Sequence, residues 1–294
     1  MGRLTTLAAY FRLARPATLP APLTGVCGGA VAAAGGWPDA ARLYAALASA
    51  LLLTAGSNAW NQIADLDTDR INRPRRPLPA GAISLRAAWL FAIVTTVAAL
   101  ALAWKAGLGY LACVALTIPI TAAYSFEPVR TKKIPYLANA TIATPRGLLL
   151  VLAGWAVGGG LDRTEAWILG ALSWLYIFGA ATTKDFGDIE GDRATGCRTL
   201  PIVLGPARAA RFVAPFLVIP FVAYPVAGAV GLFPGGVIAW AALGLPLALL
   251  GAWAAALLVK SPLPRDGRPH PAWGLMYAQL ALAPIGVAVL FATL

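Results

Sequence analysis

The feature that most limits what this chain can fold into is its series of long apolar runs, among them Ala41 to Leu53, Ala87 to Trp104 and Gly235 to Val259. Runs of this kind approach or exceed the roughly 20 residues that a helix needs to cross the hydrocarbon core of a bilayer. They lack the alternation of apolar and polar residues that a membrane-spanning strand shows, so helices are expected rather than a barrel. Composition agrees, because the 294 residues are 59% hydrophobic and only 12% charged, against roughly 45–50% and 25% in soluble domains. Dividing the runs at charges and at Pro and Gly clusters gives nine spans, at 17–37, 41–60, 87–105, 107–126, 136–158, 164–184, 209–232, 235–259 and 271–293. The expectation is an all-α, multi-pass bundle of nine transmembrane helices forming one domain over 1–294.

Basic residues check that count, since Lys and Arg gather on the cytoplasmic side of a membrane protein. With the N-terminus inside, 19 of the 23 Lys and Arg fall in cytoplasmic segments, including Arg265 and Arg268 in the last of these. Arg42, Lys105 and Arg163 fall on the other side, and Arg146 lies within a span. This sorting predicts a protein of the plasma (inner) membrane whose N-terminus and site loops are cytoplasmic. Arg3, Arg12 and Arg15 precede an apolar stretch as in a signal peptide, but eight further spans favour an uncleaved first helix. A net charge of +11 does not indicate nucleic acid, because the basic residues are spread over short loops and form no patch with stacking aromatics. Cys27, Cys113 and Cys197 are odd in number and far apart, which argues against a disulfide framework or a metal cluster. With His270 as the only histidine, zinc or haem ligation by imidazole pairs is excluded.

The acidic residues are concentrated. Seven of the twelve lie in two windows, Asp65, Asp67, Asp69 and Asp185, Asp188, Glu190, Asp192. Asp65-Leu-Asp-Thr-Asp-Arg70 and Asp188-Ile-Glu-Gly-Asp-Arg193 match at an offset of 123 residues, and Arg76-Pro-Leu-Pro79 matches Arg198-Thr-Leu-Pro201 at 122. The windows form an internal repeat at the cytoplasmic ends of spans 2 and 6. If the second helix continues past Trp60, Asn61, Asp65 and Asp69 share one face, drifting only about 40° per step. Asp67 and Glu190 point away, while Asp185 joins the second row. Four or five carboxylates facing one another would raise their own pKa values unless cations intervene, and hard oxygen-only ligands imply Mg²⁺ together with substrate phosphates. Tyr124, Ser125, Arg130, Lys132 and Lys133 follow span 4 on the same face, and Lys184 and Arg198 flank the second window. Such side chains suit phosphate oxygens. Arg146, beside Pro145 and Gly147, carries a charge within a span, which costs at least about 2.5 kcal/mol unless it faces a polar cavity. We group it with the diphosphate-binding residues. Asn139, Thr141 and Thr144 are read first as helix contacts, as are Gly28-Gly29 and Gly158 to Gly160. No Gly-x-Ser-x-Gly, Walker-type or His-Glu-x-x-His pattern is present.

These residues resemble the UbiA superfamily of intramembrane prenyltransferases. Its first signature, Asn-Asp-x-x-Asp-x-x-x-Asp followed by Asn-x-Pro-x-Arg-Pro-Leu-x-x-Gly, reads here as Asn61-Gln-Ile-Ala-Asp65-Leu-Asp-Thr-Asp69 and Asn72-Arg-Pro-Arg-Arg-Pro-Leu-Pro-Ala-Gly81. The second reads Lys184-Asp-Phe-Gly-Asp188-Ile-Glu-Gly-Asp192-Arg, with Gly196-Cys-Arg-Thr-Leu-Pro201 after it. Tyr124-Ser125 with Pro128, Arg130 and Lys132 looks like the family's loop of the same kind. The resemblance implies two Mg²⁺ ions held by the Asp motifs, a prenyl diphosphate clamped by them, an allylic cation, and an acceptor that attacks it. It would make Asp65, Asp69, Asp188 and Asp192 catalytic metal ligands, with Asp185 beside them. Asn61, Arg130, Lys132 and Lys184 would bind the diphosphate, and Tyr124 would face the cation or the acceptor. The prenyl tail would lie in a groove open to the lipid bilayer. Gln62 departs from the pattern, standing where an Asp commonly follows the first Asn.

The expected reaction is transfer to an aromatic acceptor of the quinone or homogentisate type. The alternatives are a lipid-like glycerol phosphate or a chlorin pigment. A secondary transporter would also combine intramembrane charge with a repeat, but its site should lie near the midplane, not at one membrane face.

Overall fold

The structure, a computed structural model, describes residues 3–264 and 270–294. Arg265 and Arg268, counted in the charge sorting, lie outside the described residues. Among the described residues every regular element is helical: α1 (Arg3–Leu13), α2 (Pro20–Ala34), α3 (Ala40–Ala64), α4 (Leu66–Asn72), α5 (Leu85–Ala106), α6 (Leu108–Ser125), α7 (Leu137–Ala143), α8 (Leu150–Gly158), α9 (Thr164–Ala180), α10 (Ile189–Ala194), α11 (Leu200–Leu204), α12 (Pro206–Val213), α13 (Ile219–Ala229), α14 (Gly236–Lys260) and α15 (Pro271–Thr293). Eight of the helical segments are long and apolar enough to cross a membrane. Thr6–Thr18 and Pro20–Ala34, bent by 53°, bring the number to nine if the pair is counted as one span. The outer faces of α5 and α14 expose Leu90, Ile93, Val97, Ile238, Leu249 and Trp253, an apolar surface suited to a lipid environment. The chain is a multi-pass membrane protein.

Lipid tails are as apolar as leucine, so such helices associate through close packing. α2 packs on both α8 and α15, α3 on α5, and α14 on α13 and α15. The α2–α8 crossing is backbone on backbone, since a Cβ at Gly29 would sit 3.0 Å from Gly154 Cα and one at Gly154 would sit 2.9 Å from Gly25 O. At one end of the bundle Arg42 donates to the carbonyls of Ala106 and Ala156, at 3.0 and 3.5 Å. At the other end the two acidic windows meet.

Several of the helical segments are interrupted. Span 5 passes from α7 to α8 through a π-helical turn at Thr144–Leu149. Pro145 has no N–H to give the ladder, and the wider turn absorbs the defect. Span 7 contains a 3-10 turn at Ala214–Leu217, before Pro220 and Pro225. The second helix corrects the expectation of one row through Asp69. α3 ends at Ala64, Asp65 takes φ −97° and ψ 17°, and α4 begins at Leu66. The second window breaks in the same way, with Asp188 at φ −117° and ψ 7° ahead of α10. The repeat therefore extends to backbone conformation.

Candidate active site

The two windows are joined through their short helices. Asn72 at the end of α4 donates to the Asp188 carbonyl at 2.9 Å and accepts from the Gly191 N–H at 2.9 Å. The hydroxyls of Thr68 and Thr195 are hydrogen-bonded at 2.8 Å. A Cβ on Gly191 would fall 2.6 Å from the Asn72 amide nitrogen, so any side chain there would displace the amide that makes the tie. This tie brings the first carboxylate of one window beside the last carboxylate of the other.

Lys132, only 5% exposed, fills the space between them. Its Nζ is 3.0 Å from Asp65 Oδ2 and 3.1 Å from Asp192 Oδ1. Arg130 reaches Asp65 at 3.4 Å and the Ala64 carbonyl at 3.2 Å. Its backbone is left-handed, at φ 30°, a conformation disfavoured for residues with a Cβ and held here by those contacts. Asn61 donates to Asp65 Oδ2 at 2.9 Å. Burial acts to raise the Asp65 carboxyl, but Lys132, hydrogen-bonded to it, holds it below the usual carboxylate range. At Asp192 and Asp69 burial prevails, and both carboxyls stand above that range despite Lys132 and Arg76. Burial acts to lower the Lys132 ammonium, but Asp65 and Asp192 hold it well above its ordinary value.

The remaining carboxylates are not gathered with these two. Asp69, beyond the break in the helix, turns to Arg76, whose Nη1 lies 2.6 Å from its Oδ2. Asp188 pairs with Arg73 at 2.8 Å, and Asp185 with Lys184 at 3.2 Å. Among the described residues no three Asp, Glu, His or Cys side chains are arranged to hold a metal. The expected metal set of Asp65, Asp69, Asp185, Asp188 and Asp192 is thus divided among five cationic side chains. Asp67 and Glu190 are exposed, as their helix positions predict. The donor set nevertheless suits a hard divalent ion: all its ligating atoms are oxygens. Asp188 Oδ1 and Asp192 Oδ1 are buried and receive no aligned hydrogen bond, although each has a cation at ion-pair distance.

Below this cluster a cavity of about 580 Å³ runs into the bundle. Its mouth is polar, with Asn61, Arg73, Arg76, Tyr124, Lys184 and Asp188, and its depth is apolar, with Val26, Leu53, Val114, Leu149 and Ala153. Tyr124 places its hydroxyl 3.5 Å from Lys184 Nζ. Arg146 lines the cavity from the π-helical turn and forms no ion pair with the carboxylates of the windows. Asn139 bonds to the Phe178 carbonyl and to Thr182, and Thr144 accepts from Trp174, so both serve as helix contacts. Thr141 lines the cavity.

Three arginines join the site without a signal of their own in the sequence. Arg73 and Arg76, which the motif and the loop charges do not single out, each pair with a window carboxylate. Arg15, one of the charges ahead of the first apolar stretch, lines the cavity, and its Nη1 lies 3.3 Å from Asn61 Oδ1. Gln62 points away from the carboxylates. Fully buried, it donates to the Leu13 carbonyl at 2.7 Å and to the Asn58 carbonyl at 3.2 Å, tying α1 to α3.

A family model for the UbiA prenyltransferase family matches residues 22–270. The chain is similar to the digeranylgeranylglyceryl phosphate synthase of Natronomonas pharaonis, 35% identical over 200 residues that make up 68% of this chain and 70% of that protein. It is 32% identical over 215 residues to the bacteriochlorophyll synthase 34 kDa chain of Chloroflexus aurantiacus, covering 72% of this chain and 69% of that one. A solved structure of a UbiA homolog from Archaeoglobus fulgidus bound to GPP and Mg²⁺ shares the fold. Its TM-score is 0.75 at 20% identity, over 97% of this chain and 100% of that one.

Proposed function

The chain belongs to the UbiA prenyltransferase family, and from that premise we propose that it transfers a prenyl group from a prenyl diphosphate to the hydroxyl of a glycerol phosphate lipid precursor. The observation that carries the reaction is a cavity with an apolar depth and a polar mouth of Asn61, Arg73, Arg76, Lys184 and Asp188, joined through Asn61 to the buried cluster of Asp65, Asp192, Lys132 and Arg130. A prenyl diphosphate has the same polarity, a highly charged head on an apolar tail. The names of the similar proteins from Natronomonas and Chloroflexus point to lipid and pigment acceptors. They favour these over the aromatic, quinone-type acceptor expected first from the sequence. A chlorin alcohol is the second reading.

In this reading the tail lies along Val26, Leu53 and Leu149, and the diphosphate lies against Lys132, Arg130 and Lys184. Mg²⁺ would be held by Asp65 and Asp69 on one side and Asp188 and Asp192 on the other, with Asp185 beside them, and supplies Lewis-acid charge at the diphosphate oxygens. The bond between C1 of the prenyl group and the bridging oxygen breaks, and its electron pair leaves with the diphosphate. Lys132, Arg130 and Lys184 stabilise the charge that develops there, in a site with little water. The ring of Tyr124 at the cavity mouth faces the allylic cation, which the negative face of an aromatic ring attracts. The acceptor's hydroxyl oxygen forms the new C–O bond to C1, and its proton passes to the departing diphosphate. The site faces the cytoplasm of the plasma membrane, as the sorting of Lys and Arg favours.

The test uses purified protein in lipid nanodiscs with Mg²⁺, geranylgeranyl diphosphate and either an alkyl ether of glycerol phosphate or a chlorin alcohol. Mg²⁺-dependent release of diphosphate with an ether product is expected, reduced at least about 100-fold by Asp65→Asn or Asp192→Asn. Product with the chlorin alcohol alone would transfer the assignment to pigment synthesis. Absence of diphosphate release with every acceptor would sink the reaction itself.

A further inference from the structure

Arg15 sits at the bend between α1 and α2 with φ 54° and ψ 69°, a left-handed conformation that costs on the order of 1 kcal/mol for a residue with a Cβ. Its surroundings hold it there. Asn58 donates to the Ala14 carbonyl at 2.8 Å and to the Thr18 hydroxyl at 2.9 Å, and that hydroxyl donates to the Arg15 carbonyl at 2.8 Å. The effect is to hold the guanidinium in the cavity wall. Only Nη1 has a partner, Asn61, while Nε and Nη2 are buried with none. Buried donors without partners are rare, and each one calls for an explanation.

Arg146 enters the same cavity from the π-helical turn of span 5. Both guanidinium groups thus line one cavity, and neither makes an ion pair with a carboxylate among the described residues. The nearby carboxylates are already engaged, Asp69 by Arg76 and Asp65 by Lys132 and Arg130. Two like charges beside a common cavity within a membrane repel unless an anion lies between them. Arg15 is linked through Asn61 to Asp65, so such an anion would lie next to the diphosphate cluster and yet outside it.

We propose that Arg15 and Arg146 form a second anion subsite, distinct from the Lys132–Arg130 cluster, that binds the phosphate monoester of the acceptor. The inference rests on the prenyl-transfer reading, and it assigns Arg146 to the acceptor and not, as its sequence context predicts, to the diphosphate. A phosphate monoester carries up to two negative charges and accepts bidentate bonds from guanidinium groups. Two arginines facing one cavity match that charge and geometry, and a neutral alcohol would leave them unmatched. The acceptor's phosphate would then place its hydroxyl beside C1 of the prenyl diphosphate, and the arginines would determine which acceptors are used.

Equilibrium binding without turnover separates this inference from the reaction. The full-length protein in nanodiscs is titrated with an alkyl ether of glycerol phosphate, the same ether lacking phosphate, inorganic phosphate, and a non-reactive prenyl thiodiphosphate with Mg²⁺. The wild type is expected to bind the phosphorylated ether at least about tenfold more tightly than the neutral one, and inorganic phosphate far more weakly than either. Arg146→Gln should abolish the preference while changing thiodiphosphate binding less than about twofold. Arg146→Lys should restore part of it. Arg15→Gln should act in the same way, and Arg146→Gln decides the matter if the Arg15 variant does not fold. The inference is overturned if the wild type shows no preference, if Arg146→Gln keeps it, or if thiodiphosphate binding falls in parallel. It is also overturned if inorganic phosphate competes as well as the phosphorylated ether. A confirmed preference with no prenyl transfer would leave this subsite standing and remove the reaction.

Discussion

Lys132 touches both halves of the repeat, and removing it should expose what it compensates. In Lys132→Met, Asp65 and Asp192 would remain buried near each other without their shared cation. Breaking a buried ion pair from one side costs about 3–5 kcal/mol. Thermal unfolding in detergent should show the variant destabilised by that order when EDTA is present, and much of the loss should return with millimolar Mg²⁺. The wild type should gain less from Mg²⁺. Equal Mg²⁺ shifts in both proteins would mean that the ion does not bind among these carboxylates. At this scale the sequence was partly legible. Asp65, Asp188, Asp192, Lys132 and Lys184 stand out because carboxylates and cations in an apolar chain need a reason to be there. Gln62 and Arg15 were not legible, because their roles depend on where the turn after α1 folds back over α3. That turn is fixed by tertiary hydrogen bonds, not by local periodicity.

Among elements, the informative feature is the pair of short helices α4 and α10. Each starts one residue beyond an Asp that ends the preceding helical segment, so the last carboxylate of each window is turned away from the line of its long helix. The 3.6-residue period predicted one continuous row, and it missed the break because Asp65 and Asp188 belong to no strong breaker class. The π-helical turn at Pro145 was equally hidden, since a proline inside a span signals a defect without saying how the defect is absorbed. The α4–α10 tie predicts a specific coupling. Gly191→Ala should push the Asn72 amide out of place and cost about 1–3 kcal/mol, with a clear fall in diphosphate release. In an Asn72→Ala background the same glycine change should cost almost nothing, because the atom it strikes is gone. Unfolding and turnover of the two single variants and the double variant measure this coupling, and additive effects would contradict it.

For the whole molecule, the apolar runs made the bundle legible. Eight helical segments, or nine with the bent pair, are long and apolar enough to span a membrane, and hydropathy reads them because it depends on the solvent of the chain and not on fine packing. The orientation can be checked directly. In a background lacking Cys27, Cys113 and Cys197, single cysteines at Asp67 and Glu190 should react with an impermeant thiol reagent from the cytoplasmic side, and one at Lys105 from the other side. Labelling of Asp67 and Glu190 from opposite sides would break the repeat. The bare-backbone crossing of α2 and α8 has a consequence of its own. The cavity lining on these helices stops at Val26 and Ala153, next to the crossing where Gly29 and Gly154 leave no room to yield. In the proposed reaction the carboxylate cluster would be the zero mark of a ruler for the tail, and the packed α2–α8 crossing beside Val26 and Ala153 one wall of it that cannot move apart.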